Sequence, residues 1–305
     1  MSRPDPGATA AGVDIWQVDA FTDDLFGGNP AGVAPDARGL STGLMRRIAR
    51  EMNLSETAFV LPPSGTGADF RVRFFTPGGE VDLCGHATVA AFHVLAWIGA
   101  ILPVGRRRTV VQETRAGRLP VTVEFRGGLP ARVAMEQSAP MSAPCARPSD
   151  VARALGIAPD RLDPSLAPEC SFTGLWAVMA PLRSVGDLRA VQPRPDLFDA
   201  LAPSLSLSGV YAFTLTGAGP RARFFVCPRY GIVEDPFTGT AAGALAGYLL
   251  RRGRLSEGDS LMVRQGIEMG RAGRAAVRVL PGPRIEVAGT AVPVFRATIG
   301  APRSR

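Results

Sequence analysis

One segment of the chain occurs twice, and that repeat restricts the possible folds more than any other feature. Arg71-Val-Arg-Phe-Phe75 leads into Asp82-Leu-Cys-Gly-His-Ala-Thr-Val-Ala-Ala91, and Arg221-Ala-Arg-Phe-Phe225 leads into Asp235-Pro-Phe-Thr-Gly-Thr-Ala-Ala-Gly-Ala244. In each copy a strand-like run ending in paired phenylalanines reaches an acidic residue, then a glycine, then an alanine-rich helix. Such a chain reads as a duplicated half. Glycine at a helix start lets ligand atoms approach the backbone, and the unpaired N–H groups there favour negative charge. Two such starts facing each other would grip a small carboxylate. For one copy alone, a mere strand-to-helix turn is the better reading. Two matched copies, each beside an ionisable residue, reverse that preference.

The 305 residues, 46% of them hydrophobic, suffice for two cores. The formal charge is +7 and all 34 Lys-or-Arg positions are arginine. The tightest basic cluster, Arg106-Arg107-Arg108, has no interleaved aromatics, so the charge reads as compositional bias and not as a nucleic-acid footprint. The lack of lysine also removes Schiff-base, pyridoxal phosphate and P-loop kinase chemistry. Cys84, Cys145, Cys170 and Cys227 form no C-x-x-C pair, which fits reduced thiols in a cytoplasmic protein. Residues 1–12 read as a disordered tail and not a signal peptide. The longest apolar stretch, 91–104, is too short to span a bilayer, so no membrane partner is expected.

Both halves alternate strand and helix patterns. Strands are expected at 15–20, 31–34, 57–61, 70–75, 109–112, 119–125 and 131–136, and again at 175–180, 210–216, 260–263, 275–280, 284–287 and 292–298. Ser41 has the chemistry of an N-cap for a helix with Leu44, Met45, Ile48 and Met52 on its apolar face, ending near Asn53. The signature helices are expected over 85–101 and 239–252, a further helix over 148–155, and a Pro/Ser/Ala-rich linker over 138–146. The resulting picture is an α+β chain in which each half is a sheet around one central helix.

Five motifs in order, Val18-Asp-Ala-Phe-Thr22, Gly28-Asn-Pro30, Asn53-Leu-Ser-Glu-Thr57, Cys84-Gly-His-Ala-Thr88 and Glu234-Asp-Pro-Phe-Thr-Gly-Thr240, resemble the PhzF-like proteins over nearly the whole chain. That resemblance implies the diaminopimelate epimerase-like fold: two pseudo-symmetric domains, each a curved, mostly antiparallel sheet around a central helix, with the active site in the cleft between them. The division expected is 13–137, completed by the last strand at 291–300, against 138–290. The resemblance also implies a homodimer and no metal or organic cofactor.

Glu56 lies between a helix end and an apolar strand, where partial desolvation would raise its pKa; the resemblance makes it the general acid/base. His86 sits at a helix start, where the dipole opposes its protonation, and the resemblance places it in the active site. A capping role is as good a local reading. Asp235 is fixed by Pro236, and the resemblance implies contact with a substrate amino or hydroxyl group; locally it could simply cap the turn. Ser55, Gly85, Ala87, Thr88, Gly239, Thr240 and Ala241 would supply hydroxyls and N–H groups to a substrate carboxylate. His93, seven residues beyond His86, reads as core, and a His86/His93 metal pair is discounted for want of a third ligand.

The expected function is a proton shift within a small unsaturated carboxylic acid, as in the isomerisation of trans-2,3-dihydro-3-hydroxyanthranilate, in secondary metabolism. Trp16, Phe26, Trp176 and Tyr211 are guesses at the pocket wall. Related epimerases and proline racemases use two cysteines on opposite faces of a carbon. Here Cys84 could fill the first place, but Thr238 stands at the second and is too weak an acid, so two-base racemisation is disfavoured and Cys84 reads as a small buried residue. An amino-acid epimerase using Cys84 is kept as the rival reading, and a non-catalytic carboxylate-binding protein as a second.

Overall fold

The computed structural model describes residues 12–300, so the expected tail at 1–12 falls, apart from Gly12, outside the described residues. The first run of elements is β1 (Val13–Ala20), β2 (Asn29–Ala34), α1 (Thr42–Met52), β3 (Glu56–Leu61), β4 (Phe70–Phe75), β5 (Glu80–Val81), α2 (Gly85–Trp97), β6 (Arg107–Thr114), β7 (Gly117–Arg126) and β8 (Leu129–Glu136). The second run is β9 (Met141–Ala143), α3 (Pro148–Ala154), β10 (Glu169–Phe172), β11 (Trp176–Pro181), α4 (Val185–Arg189), β12 (Leu207–Thr214), β13 (Arg221–Val226), β14 (Glu234–Asp235), α5 (Gly239–Arg251), β15 (Ser260–Gln265), β16 (Gly273–Leu280), β17 (Arg284–Gly289) and β18 (Ala291–Ile299).

The two runs share one pairing plan. β2 lies parallel to β3, β3 antiparallel to β4, and β4 takes β5 antiparallel and β6 parallel. β11, β12, β13, β14 and β15 repeat each of these pairings. An antiparallel meander then closes each plan, β6-β7-β8 in one and β15-β16-β17 in the other. One outer strand crosses over: β18 ends the second run yet pairs with β1 of the first, while β9, directly after β8 in the chain, pairs with β10. β8 and β17 pair antiparallel and join the sheets.

Register corrects one reading of the repeat. Phe74 and Phe75 face Val81 and Glu80, whereas Phe224 and Phe225 face Asp235 and Glu234. The acid common to both copies is therefore Glu80/Glu234, not Asp82/Asp235. Arg73 holds Glu80 through two bonds of 2.7 Å and Arg223 holds Glu234 at 2.9 and 2.7 Å. The guanidinium groups lie 5.1 and 4.6 Å from the Phe75 and Phe225 ring centres. These matched bidentate pairs are structural. Asp82 is exposed and pairs with Arg115 instead, so Asp235 stands alone where its counterpart is Val81.

α2 and α5 are each 13 residues long and buried on nearly every side, as a helix apolar all round must be. α2 stops four residues short of the expected end. Gly99 takes φ +79, and the N–H groups of Ala100 and Ile101 turn back to the Leu95 carbonyl at 2.8 and 3.2 Å, which ends the helix. α1 is bounded as expected: Ser41 Oγ accepts from the Leu44 N–H, and Asn53 takes a left-handed conformation with φ +50. The expected linker at 138–146 contains β9, because Met141–Ala143 finds a partner in β10 that its own composition does not announce. Among the described residues no helix is long and apolar enough to cross a membrane.

The two runs meet at a stack of Phe21 on Phe237, ring centres 4.5 Å apart. Three glycines make room for it. A Cβ at Gly289 or Gly239 would lie 2.3 or 2.7 Å from the Phe21 ring, and one at Gly273 would lie 2.7 Å from Phe237.

Candidate active site

The starts of α2 and α5 face each other beside this stack. A Cβ on Gly85 would lie only 3.6 Å from Thr240 Oγ1. The first backbone bonds of the two helices run from Thr88 N–H to Cys84 O and from Ala242 N–H to Thr238 O. The N–H groups of residues 85–87 and 239–241 therefore precede the helical ladders, and such groups favour an anionic partner.

Glu56 opens β3 beside the start of α2, with its side chain 21% exposed. Its Oε2 is 3.3 Å from His86 Nε2, and Ser55 Oγ is also 3.3 Å from that nitrogen. Burial raises the Glu56 pKa, with hydrogen bonds from Ser55 and Cys84 pulling it back. Burial lowers the His86 pKa, against the pull of the Asp235 charge. The sequence pointed to the helix dipole; desolvation is the larger cause here. With the imidazole neutral at pH 7, the Glu56–His86 contact is a hydrogen bond and not an ion pair.

Asn29 joins the two runs. Its Nδ2 donates to Asp235 Oδ1 at 2.9 Å and to the Phe237 carbonyl at 2.8 Å, which fixes the amide orientation and uses both of its hydrogens. The longer 3.5 Å contact to His86 Nδ1 is thus secondary, leaving that nitrogen chiefly to Cys84 Sγ at 3.4 Å. Thr238 donates its hydroxyl to Asp235 Oδ2, and Gln265 donates to the Asp235 carbonyl at 2.8 Å. Burial pushes the Asp235 pKa up to about 6, while His86, Thr238 and Asn29 oppose the rise and Glu56 adds to it. Burial and the Glu56 charge push the Cys84 thiol well up, so it is a thiol and not a thiolate.

The structure thus gathers Ser55, Glu56, Gly85, His86, Asp235, Gly239 and Thr240 in one place. Ala87, Thr88 and Ala241 are buried within the helices, and Thr88 spends its hydroxyl on the Cys84 carbonyl at 2.8 Å. His93 lies away from this group, stacked against Trp97 at 6.2 Å, with burial lowering its pKa to about 4. The metal reading weighed only His86 with His93; instead Glu56, Cys84 and His86 bring one donor atom each to within 4.8 Å of one another.

A sequence model of the family described as phenazine biosynthesis-like protein (PhzC-PhzF) matches residues 18–297. The chain belongs to the PhzF family. Its relatives include an isomerase of Escherichia coli K12 named YddE and described as uncharacterized, 35% identical over 93% of this chain and 97% of that one. The trans-2,3-dihydro-3-hydroxyanthranilate isomerase of Pseudomonas chlororaphis is 35% identical over 92% of this chain and 97% of its own length. The crystal structure of the Bacillus anthracis phenazine biosynthesis protein of the PhzF family matches with a TM-score of 0.86 at 32% identity, covering 94% of this chain and 98% of that one. This PhzF-family chain is therefore an isomerase with the diaminopimelate epimerase-like fold.

Three residues that hold this cluster together carry no role in the sequence motifs. Asn29 lies in the quoted Gly28-Asn-Pro30 motif but drew no role. Arg271 donates to Asp19 Oδ1 at 2.7 Å and to the Gly27 and Gly28 carbonyls at 2.8 and 3.0 Å, and so holds the turn that presents Asn29. That turn also needs Gly28, with φ +51 and a Cβ position only 2.0 Å from the Ala20 carbonyl. Arg271 lies more than 240 residues from the groups it holds and Gln265 lies 30 residues from Asp235, and nothing local marks either.

Proposed function

We propose that this protein is a cofactor-independent isomerase that moves a proton within a small, unsaturated, carboxylated metabolite, with Glu56 as the group that removes and returns it. The observation that carries this reading is the placing of Glu56: a part-buried carboxyl of raised pKa, against a neutral imidazole, beside two sets of unpaired helix N–H groups. Ionised Glu56 takes a proton from carbon, and the electron pair left behind enters the conjugated system. Charge then spreads to the substrate carboxylate, where the N–H groups of residues 85–87 and 239–241 stabilise it. Preorganised donors of this kind contribute roughly 3 kcal/mol each. Glu56 returns the proton to another carbon on the same face, so the single carboxyl ends as it began. His86 and Ser55 orient the substrate, and Asp235 holds its amino or hydroxyl group. Two-base racemisation is disfavoured because Thr238, opposite Cys84, directs its hydroxyl proton to Asp235.

Trans-2,3-dihydro-3-hydroxyanthranilate is the substrate to test first, given the likeness to the isomerase of that name. A cytoplasmic homodimer serving secondary metabolism goes with this reading on the family likeness. Proton NMR of that substrate in D2O should show isomerisation with the wild-type protein and none with Glu56→Gln. An active Glu56→Gln variant would remove Glu56 from the mechanism. An inert wild type would remove this substrate and move the search to other unsaturated acids, with amino-acid α-hydrogen exchange next.

A further inference from the structure

The chemistry above uses Glu56 and His86 but leaves Cys84 without a part. Its Sγ lies 3.4 Å from His86 Nδ1, and Glu56 Oε2 lies 3.3 Å from the other ring nitrogen. One oxygen, one sulfur and one nitrogen donor thus fall within 4.8 Å of one another. Ligand atoms bound to one tetrahedral Zn2+ at about 2.0–2.3 Å stand roughly 3.3–3.8 Å apart; because the two short contacts run to different ring nitrogens, sharing an ion requires Glu56 or Cys84 to turn toward the nitrogen the other uses. They are also held from different elements, with Glu56 at the start of β3 and Cys84 and His86 at the start of α2. A Cys, His and Glu set leaves the fourth position open to water or a substrate oxygen. Its mixed softness favours a borderline cation over Mg2+ or Ca2+.

We propose that Glu56, Cys84 and His86 form a site for a borderline-soft divalent cation, with Zn2+ as the fitting case, and that an ion held there blocks isomerisation. On binding, the Cys84 S–H bond breaks, its proton passes to solvent, and the sulfur electron pair forms the bond to the metal. Glu56 and one imidazole nitrogen displace two water ligands. The Glu56 lone pair that would take the substrate proton is then engaged by the ion. The inhibitory half of the proposal rests on the reading of Glu56 as the proton-transfer group; the binding half does not. A member of this fold with Thr at both helix starts would lack the sulfur and escape such inhibition.

The test is titration of the metal-free full chain with Co2+ and with Zn2+, read by absorption and calorimetry, beside the NMR isomerisation assay. Binding should show one ion per chain, one proton released per ion, and a near-ultraviolet thiolate-to-cobalt band. Cys84→Ser should abolish the band and weaken Zn2+ binding by more than about 100-fold, beyond the usual cost of losing an outer-shell partner. Cys145→Ser, at a cysteine outside the cluster, should change neither. A second variant, His86→Asn, guards against a folding defect in the first and should also lose the ion. If Co2+ gives no thiolate band, or the band survives Cys84→Ser, the proposed site is overturned. If Zn2+ saturates the site while isomerisation continues, the inhibitory half is overturned with the Glu56 assignment intact. Binding of the ion by Glu56→Gln, also inert in isomerisation, would remove the carboxylate from the ligand set and leave the catalytic reading standing.

Discussion

At the start of α2 the chain places Cys84, Gly85 and His86 beside Glu56; at the start of α5 it places Thr238, Gly239 and Thr240. Register identifies what stands in for Glu56 in the second copy. Thr57 pairs with Phe75 and Val210 with Phe225, so the residue before Val210, Gly209, is the counterpart. Both copies therefore keep the backbone donors, the buried helix and the Arg–Glu pair, while only the first carries a carboxyl, Glu56, and an imidazole, His86, at its helix start. The second copy instead offers Asp235, at a position where the first has Val81. The two helix starts thus share their backbone and differ at a few side chains. Backbone donors survive side-chain change, whereas a carboxyl or an imidazole does not.

Removing the base should therefore have the largest effect. Glu56→Gln keeps the shape of the side chain and loses its basicity, so kcat for isomerisation should fall by at least about 1,000-fold, within the usual range for a general acid/base. Steady-state assays with a circular dichroism check on folding decide this; a loss below 10-fold would place the base elsewhere. Moving the base to the second copy should fail for a steric reason. A Cβ at Gly209 would lie 2.0 Å from the Phe225 carbonyl oxygen, so even Gly209→Ala requires β13 to shift. We expect a stability loss of about 3 kcal/mol in urea, at the upper end for overpacking. Gly43→Ala in α1, whose nearest neighbour would be 4.0 Å away, should instead gain up to about 1 kcal/mol.

The long elements and both signature helices were readable because their periodicity and alanine content are local properties. The strands β5 and β14, two residues each, carry no period, and β9 becomes a strand only because β10 lies beside it. Glu56, His86 and Asp235 stood out through motif and turn chemistry. The alignment of Asp82 with Asp235 failed because Asp82 lies three residues before Gly85 whereas Asp235 lies four before Gly239, and the hydrogen-bond register places Asp235 opposite Phe224 where Val81 stands opposite Phe74. Asn29 sat in a quoted motif, yet its partners are more than 200 residues away, so its bridging role depends on the folded chain.

The central helices differ at a further position. His93 of α2 corresponds to Gly247 of α5, counting eight residues from Gly85 and Gly239. A Cβ at Gly247 would lie 2.9 Å from Pro140, so that helix packs tightly on the segment leading to β9. His93 pays for its place in pH dependence. Its pKa falls from 6.5 to about 4, so between these values the unfolded chain binds a proton that the folded one refuses, and stability drops as pH falls. Asp235 acts in the opposite sense: raised from 3.8 to about 6, it keeps a proton that the unfolded chain sheds, and stability drops as pH rises through that window. On going from pH 6.5 to 4, His93→Gln should gain about 3 kcal/mol relative to wild type, and Asp235→Asn should lose about 2 kcal/mol, the smaller figure allowing for its partial exposure. Urea unfolding at pH 4, 5, 6 and 7 measures both, and equal slopes in all three proteins would remove these groups from the balance.

The smallest effect tests the different uses of the two cap positions. Thr238 and Cys84 precede the matched glycines, but only Thr238 donates to Asp235 Oδ2. Thr238→Val keeps the shape and deletes a donor to a carboxylate, a bond of roughly 1.5–3 kcal/mol. The ionised form of Asp235 loses that support, so its pKa rises above about 6 and the fraction ionised at any given pH drops. If ionised Asp235 holds the substrate amino or hydroxyl group, the acid limb of kcat/KM moves to higher pH. The loss should be about 10-fold near pH 6 and shrink toward alkaline pH, where both proteins are ionised. A uniform loss across the profile would mean that Thr238 serves only the geometry of the turn, and the two caps would then differ in side chain but not in task.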